Sequence, residues 1–198
     1  MALYAGIVQT LAALALLGTG AAVGLLVAQG SPSGRAWLRE RLSDQELHPI
    51  AWAWFVALMA TSGSLYFSDV VGFIPCLLCW YQRIAMYPIV FVLGIGLLQR
   101  DPTVWRFALP LPLVGLMISL YHVALQYRPS LEIVVCGTGV PCSARYVAAF
   151  GFVSIPVMAA AAFLLIAVLL FTVRTVQLGS AGGCHQSKAR MPCNREHQ

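Results

Sequence analysis

Five apolar runs, near residues 4–29, 50–68, 80–99, 106–126 and 149–173, constrain this chain more than any other feature. Each has about the 20 residues that an α-helix needs to cross the hydrocarbon core of a bilayer. Inside lipid the backbone N–H and C=O groups must pair within the segment, which a helix does by itself. The chain therefore reads as an all-α membrane protein. Its balance agrees: 60% of the 198 residues are hydrophobic and 10% are charged, against about 45–50% and about 25% in soluble domains. The first run has no Lys or Arg before Arg35. It lacks the basic start of a secretory signal, so it reads as a retained helix. Gly20 and Gly24 give it a small-xxx-small pair, which marks either a packing face or only a glycine-rich helix.

The net charge of +5 is distributed by sidedness and does not mark a nucleic-acid binder. Arg35, Arg39 and Arg41 fall in the segment 30–48, Arg100 and Arg106 in the next link, and Arg174, Lys188, Arg190 and Arg195 after the last run. Positive charge stays in the cytoplasm, so the N-terminus is expected outside and the C-terminus inside. The links 69–79 and 127–148 then face outward. Segment 30–48 is either a short helix on the membrane surface or a plain connector. The tail 175–198 is polar and expected to be disordered.

Sidedness gives the cysteines their meaning. Cys76, Cys79, Cys136 and Cys142 fall in the outward links; Cys184 and Cys193 fall in the tail. Disulfides persist outside the cytoplasm and are kept reduced within it. Cys76-x-x-Cys79 stands at the mouth of the third run. The Cys-x-x-Cys spacing and a helix N-terminus both acidify a thiol. Arg83 follows Cys79 by four residues and shares its helix face, where its cation can stabilise a Cys79 thiolate. The plain alternative is an arginine that snorkels to the headgroups. Cys136 and Cys142 enclose Gly137, Gly139 and Pro141, a compact turn that favours a disulfide between them. His122 and Gln126 share a face of the fourth run at the expected depth of Arg83. His122 is either a site residue or a structural histidine. In the tail, Cys184, His185, Cys193 and His197 match no zinc spacing, and we assign no metal site.

The ordered set Pro75-Cys-x-x-Cys-x-x-x-Arg83, His122-x-x-x-Gln126 with Pro129, and the second cysteine pair resembles the DsbB family of membrane disulfide-forming oxidoreductases, in particular its short BdbC-type members. Val140-Pro-Cys-Ser143, Phe150-Gly-Phe152 and Ile155-Pro156 add to the likeness, which covers roughly residues 50–173. The resemblance implies a four-helix redox domain over 49–174; the first apolar run then stands before it as an additional transmembrane helix (1–30), joined by a cytoplasmic connector (31–48). It implies a bacterial cell-membrane enzyme that reoxidises a soluble, DsbA-like thioredoxin-fold partner and passes electrons to a membrane quinone, ubiquinone or menaquinone. By position, Cys136 resembles the cysteine attacked by the partner and Cys142 its loop mate. Cys76 resembles the cysteine that exchanges with the second loop, and Cys79 the one beside the quinone. Arg83, His122 and Gln126 resemble residues of the quinone site. The chain departs from the family in its extra N-terminal run, in the five-residue spacing of the second pair, and in its cysteine-bearing tail.

Other readings explain less. A scaffold with structural disulfides gives no role to Arg83, His122 and Gln126. A vitamin K epoxide reductase-like enzyme has its Cys-x-x-Cys after the loop cysteines, the reverse of this order. A metal-handling protein would use Cys-x-x-Cys for soft cations.

Overall fold

The computed structural model describes residues 2–42, 47–131 and 140–187, with side chains from residue 4 to 178. Among these residues the chain is all-α. Five helices are long and apolar enough to cross a membrane. They are α1 (Ala2–Gly30), α3 (Leu47–Leu65, continued by a wider π turn over Tyr66–Val70), α4 (Leu77–Leu98), α6 (Pro110–Tyr127) and α7 (Ile155–Ser187). Two further helices lie in the links, α2 (Pro32–Leu42) and the single turn α5 (Trp105–Ala108).

Local chemistry sets several boundaries. The link 30–48, open between helix and connector from sequence, is helical as α2 over Pro32–Leu42. Ser31 accepts the Gly34 N–H at 3.0 Å, and Pro32 stands at the first helical position, where its missing N–H costs nothing. At the other end of the chain the fifth run starts later than expected. Ala149 and Val153 pair as a small bridge, turned by Phe150 and Gly151 at φ 52° and 83°, so α7 begins only at Ile155. It then runs beyond Arg174 to Ser187, where a tail without regular structure was expected. There is no proline between Pro156 and Ser187 to stop it, and extending a formed helix costs far less than starting one. Cys184 and His185 lie on that extension; Cys193 and His197 lie outside the described residues.

Helices α3, α4, α6 and α7 form a ring in which α3 packs on α4, α4 on α6, α6 on α7 and α7 on α3. Lipid is as apolar as these helices, so close packing rather than exclusion of water holds them. Gly115 of α6 shows how close: a Cβ there would come within 2.3 Å of the Phe163 ring on α7. Phe163 itself is fully buried. On the other side of the ring, the Trp54 indole donates to the Val90 carbonyl at 3.1 Å and ties α3 to α4. Helix α1 lies outside the ring along α7.

Candidate functional site

The site forms where the two cysteine-bearing links meet the ends of α4 and α6. Cys76 is the residue just before α4, in extended conformation. Cys79 follows one turn in. Both are free thiols, and their Sγ atoms share a hydrogen bond at 3.2 Å. Cys142 is disulfide-bonded; Cys136, the partner expected for it, lies outside the described residues. Cys76 and Cys142 are buried in one cluster with Leu78 and Leu125. Cys142, from the second link, is thus folded down onto the first pair.

His122 joins them. Its Nε2 lies 3.7 Å from Cys76 Sγ and 3.0 Å from the Cys142 carbonyl oxygen. Its Nδ1 lies 3.0 Å from Gln82 Nε2. An amide N–H₂ can only donate, so Nδ1 accepts, and Nε2 carries the proton that goes to the Cys142 carbonyl. Gln82 was not foreseen from sequence. It is a buried polar residue in an apolar helix, a signal in itself, because such a group needs a partner. The Cys76 thiol is held down to about 4 from an ordinary 9.0, chiefly by its hydrogen bond with Cys79 and further by His122, while burial opposes the shift. Cys76 is therefore the sulfur best able to carry charge and to leave.

Two contacts of Tyr146 fix its part of the second link. Tyr146 stacks on Phe73 at 4.7 Å and its hydroxyl donates to the Ile74 carbonyl at 3.1 Å. Gln126 works in the same direction. It accepts from Ser154 at 2.6 Å, donates to the Ala144 carbonyl at 3.4 Å, and its own carbonyl accepts from Arg145 at 3.1 Å. Gln126 and His122 line a small recess beside Cys76 and Cys79.

Arg83 faces the other way. Its Nε donates to Ser64 Oγ and its Nη2 to the Ser64 carbonyl, both at 3.0 Å. The guanidinium lies 5.3 Å from the centre of the Trp80 ring. Held in this way, it is a positioned cation rather than one reaching for headgroups. Arg83, Gln82 and Cys79 line a cavity of about 460 Å³ whose other walls are almost entirely apolar. His122 and Gln126, grouped with Arg83 from sequence, are not among the residues lining it. Cys79 borders both spaces. Tyr87, one turn beyond Arg83, also lines the large cavity, and its hydroxyl is buried with no hydrogen-bond partner among the described residues. The reduced pair and His122 bring three ligand atoms within 4.8 Å of one another, so the same place offers a soft cation three donors.

A bundle of helices long and apolar enough to cross a membrane, with a Cys-x-x-Cys whose first thiol is buried and acidified beside the disulfide-bonded Cys142, defines a membrane protein of thiol–disulfide chemistry. The family described as "Disulfide bond formation protein DsbB" matches residues 48–173, and the chain belongs to that family. It is similar to "Disulfide bond formation protein C" of Bacillus subtilis, 49% identical over 119 residues, which is 60% of this chain and 86% of the relative. It is also similar to "Probable disulfide formation protein C 2" of Bacillus cereus, 42% identical over 135 residues, 68% of this chain and 92% of the relative. "Probable disulfide formation protein" of Oceanobacillus iheyensis is 45% identical over 135 residues, 66% and 91%. No solved structure matches significantly. The protein is thus a multi-pass membrane protein of disulfide-bond formation, with an oxidoreductase role. Helices α1 and α2 precede the matched residues.

Proposed function

We propose that the protein is a thiol:quinone oxidoreductase that reoxidises a DsbA-like thioredoxin-fold partner at its cysteine end, taken as extracytoplasmic, with the C-terminus in the cytoplasm. The observation that carries this reading is the division of space around one dithiol: Cys76 sits with His122 and Cys142, while Cys79 sits with Arg83 on a large apolar cavity.

The relay balances as two exchanges and one transfer. The partner's dithiol attacks the Cys136–Cys142 disulfide; the partner leaves oxidised and the link holds two thiols. Cys142 then attacks Cys76 of the Cys76–Cys79 disulfide, and Cys79 leaves. Cys136 attacks Cys142, re-forms the link disulfide, and expels Cys76. Proximity selects Cys76 for the first attack, since it is buried in one cluster with Cys142. In the second step a low thiol pKa makes the better leaving group, and Cys79 and His122 lower that of Cys76. His122 also fixes the Cys142 backbone beside its target, which reduces the cost of bringing two sulfurs together. Exchange only relays disulfides, so an external oxidant is needed; the periplasmic relay through DsbB to quinone is the known precedent.

The large cavity fits a quinone by its donor set. Arg83 has N–H groups beyond the two held by Ser64, Tyr87 has a buried hydroxyl with no hydrogen-bond partner among the described residues, and apolar side chains make up most of the rest. A quinone held there supplies a two-electron, two-proton acceptor. Arg83 stabilises negative charge at Cys79 and on the acceptor side, and the apolar walls strengthen that effect by excluding water.

The test is oxidation of a reduced thioredoxin-fold partner by the purified protein, with quinone as the sole acceptor. Turnover that depends on quinone and is lost in Cys79→Ser is the expected result. Partner oxidation that proceeds equally without quinone removes the acceptor from the scheme.

A further inference from the structure

Helix α1 lies outside the family match, which begins at residue 48, yet it supplies one wall of the large cavity. Leu11, Leu14, Ala15, Leu17, Gly18 and Ala21 line it. At 1.5 Å per residue the stretch from Leu11 to Ala21 makes this wall roughly 15 Å long. Trp52, Phe55 and Met59 of α3 line the cavity as well.

The wall is fastened along its length. At the cysteine end Tyr4 meets Phe73 edge-on at 6.4 Å, and Leu11 lies against Gly63 of α3. In the middle, Gly18 lets Leu165 of α7 come close: a Cβ there would be 3.2 Å from the leucine methyl. At the far end Gln29 donates to Thr172 at 2.7 Å in a buried contact. Between these fastenings the residues lining the cavity are left uncovered. Leu14 is 50% exposed and Leu17 71%, and on α3 Trp52 is 63% exposed and Phe55 49%. The cavity is therefore open to the side. Its charged group and its thiol belong to the Cys79–Arg83 end; the stretch bounded by Leu14, Leu17, Phe55 and Met59 is apolar.

We propose that α1 turns the cavity into a slot for the apolar chain of the acceptor, with the ring at the Cys79–Arg83 end and the chain running past Leu14 and Leu17. The proposal rests on the quinone reading and adds to it the part of the acceptor that α1 recognises. A slot walled on both sides, with its polar groups at one end, matches an amphiphile with a polar ring and an apolar tail. A chain that leaves lipid for such a slot gains little from dehydration; it gains contact with packed side chains. The chain should then matter through the residues it touches.

The experiment uses the full-length, fully oxidised protein, which has no electrons to give, in a single detergent. The probes are a chain-free benzoquinone and the same ring carrying a decyl chain tipped with a diazirine. Binding is read from quenching of tryptophan fluorescence, and the site of photo-attachment is mapped by mass spectrometry. In the wild-type protein the tailed probe should bind about tenfold more tightly and attach to residues of α1 or of the facing part of α3. Leu14→Trp with Leu17→Trp fills the slot from exposed positions. It should abolish the tail's advantage over the chain-free probe and move the attachment off α1. Equal binding of the two probes to the wild type, or attachment confined to α4, α6 or the links, overturns the slot and leaves the quinone reading standing. If neither probe binds, and neither is reduced by the dithiol protein, both readings fall. The wild-type attachment map needs no variant, so a poorly folded variant does not protect the proposal.

Discussion

The two sides of the Cys76–Cys79 pair are built from different materials. On one side Cys76 meets a hydrogen-bonded chain, Gln82 to His122 to the Cys142 carbonyl, which is short-range and fixed in direction. On the other side Cys79 meets an apolar cavity with one positioned cation, Arg83. The first arrangement suits sulfur exchange, which needs two atoms aligned and a good leaving group. The second suits a neutral guest on which charge develops, because a cation in an apolar space acts strongly. The difference teaches that a single helix turn can separate two chemistries: three residues along α4, the neighbours of the sulfur change from backbone and imidazole to hydrocarbon and guanidinium.

The comparison can be broken at Arg83. Arg83→Ala should slow electron transfer to quinone about 100-fold, the order seen on removing one electrostatic stabiliser, while exchange between the partner and the protein's own disulfides keeps its rate. Stopped-flow measurement of the two half-reactions checks this, and equal slowing of both would erase the distinction between the sides.

His122→Ala is the mirror test, with an effect of about tenfold on exchange between the two links, the order of losing one hydrogen bond to a charged sulfur, and little on quinone binding. It also has a pH signature. In the dithiol protein Cys76 is held down to about 4 from 9.0. A depressed acid stabilises the fold fully above its unfolded value; here the contribution declines as pH falls from about 9 and is gone below about 4. Removing His122 should move the thiolate absorbance titration upward and weaken the reduced fold at neutral pH. A titration that stays where it was would show that His122 does not act on Cys76.

A smaller effect is expected at Ser64, which only positions Arg83. Ser64→Ala removes the Nε partner and leaves the carbonyl contact to Nη2. Loss of one hydrogen bond worth about 1 kcal/mol corresponds to about a fivefold slower quinone half-reaction. Ser64→Thr should restore most of it, a rescue that a merely structural role would not require.

Much of this was legible in the chain. The apolar runs at 4–29, 50–68 and 80–99 correspond to α1, α3 and α4 because a run of that length in lipid has few alternatives to a helix. The Cys-x-x-Cys at a helix mouth and Arg83 one turn later follow from local spacing. The start of α7 was misplaced because an apolar stretch such as 149–154 reads as helix until Phe150 and Gly151 are seen to turn it. His122 and Gln126 were grouped with Arg83 because depth in the membrane can be counted from sequence. The rotation of one helix against another cannot, and it is rotation that sets His122 among the sulfurs. Gln82 and Ser64 gain meaning only through neighbours on other helices. The same holds for the α1 wall, since no pattern within residues 4–29 announces a cavity beside them.

The central claim is that Cys76, and not Cys79, is the sulfur that exchanges with the second link. In Cys136→Ser the link cannot resolve a mixed disulfide, so the intermediate accumulates when Cys142 attacks the first pair. Peptide mapping after acid quenching and alkylation reads it directly. The account predicts a Cys76–Cys142 bond with Cys79 alkylated; a Cys79–Cys142 bond with Cys76 alkylated would contradict it.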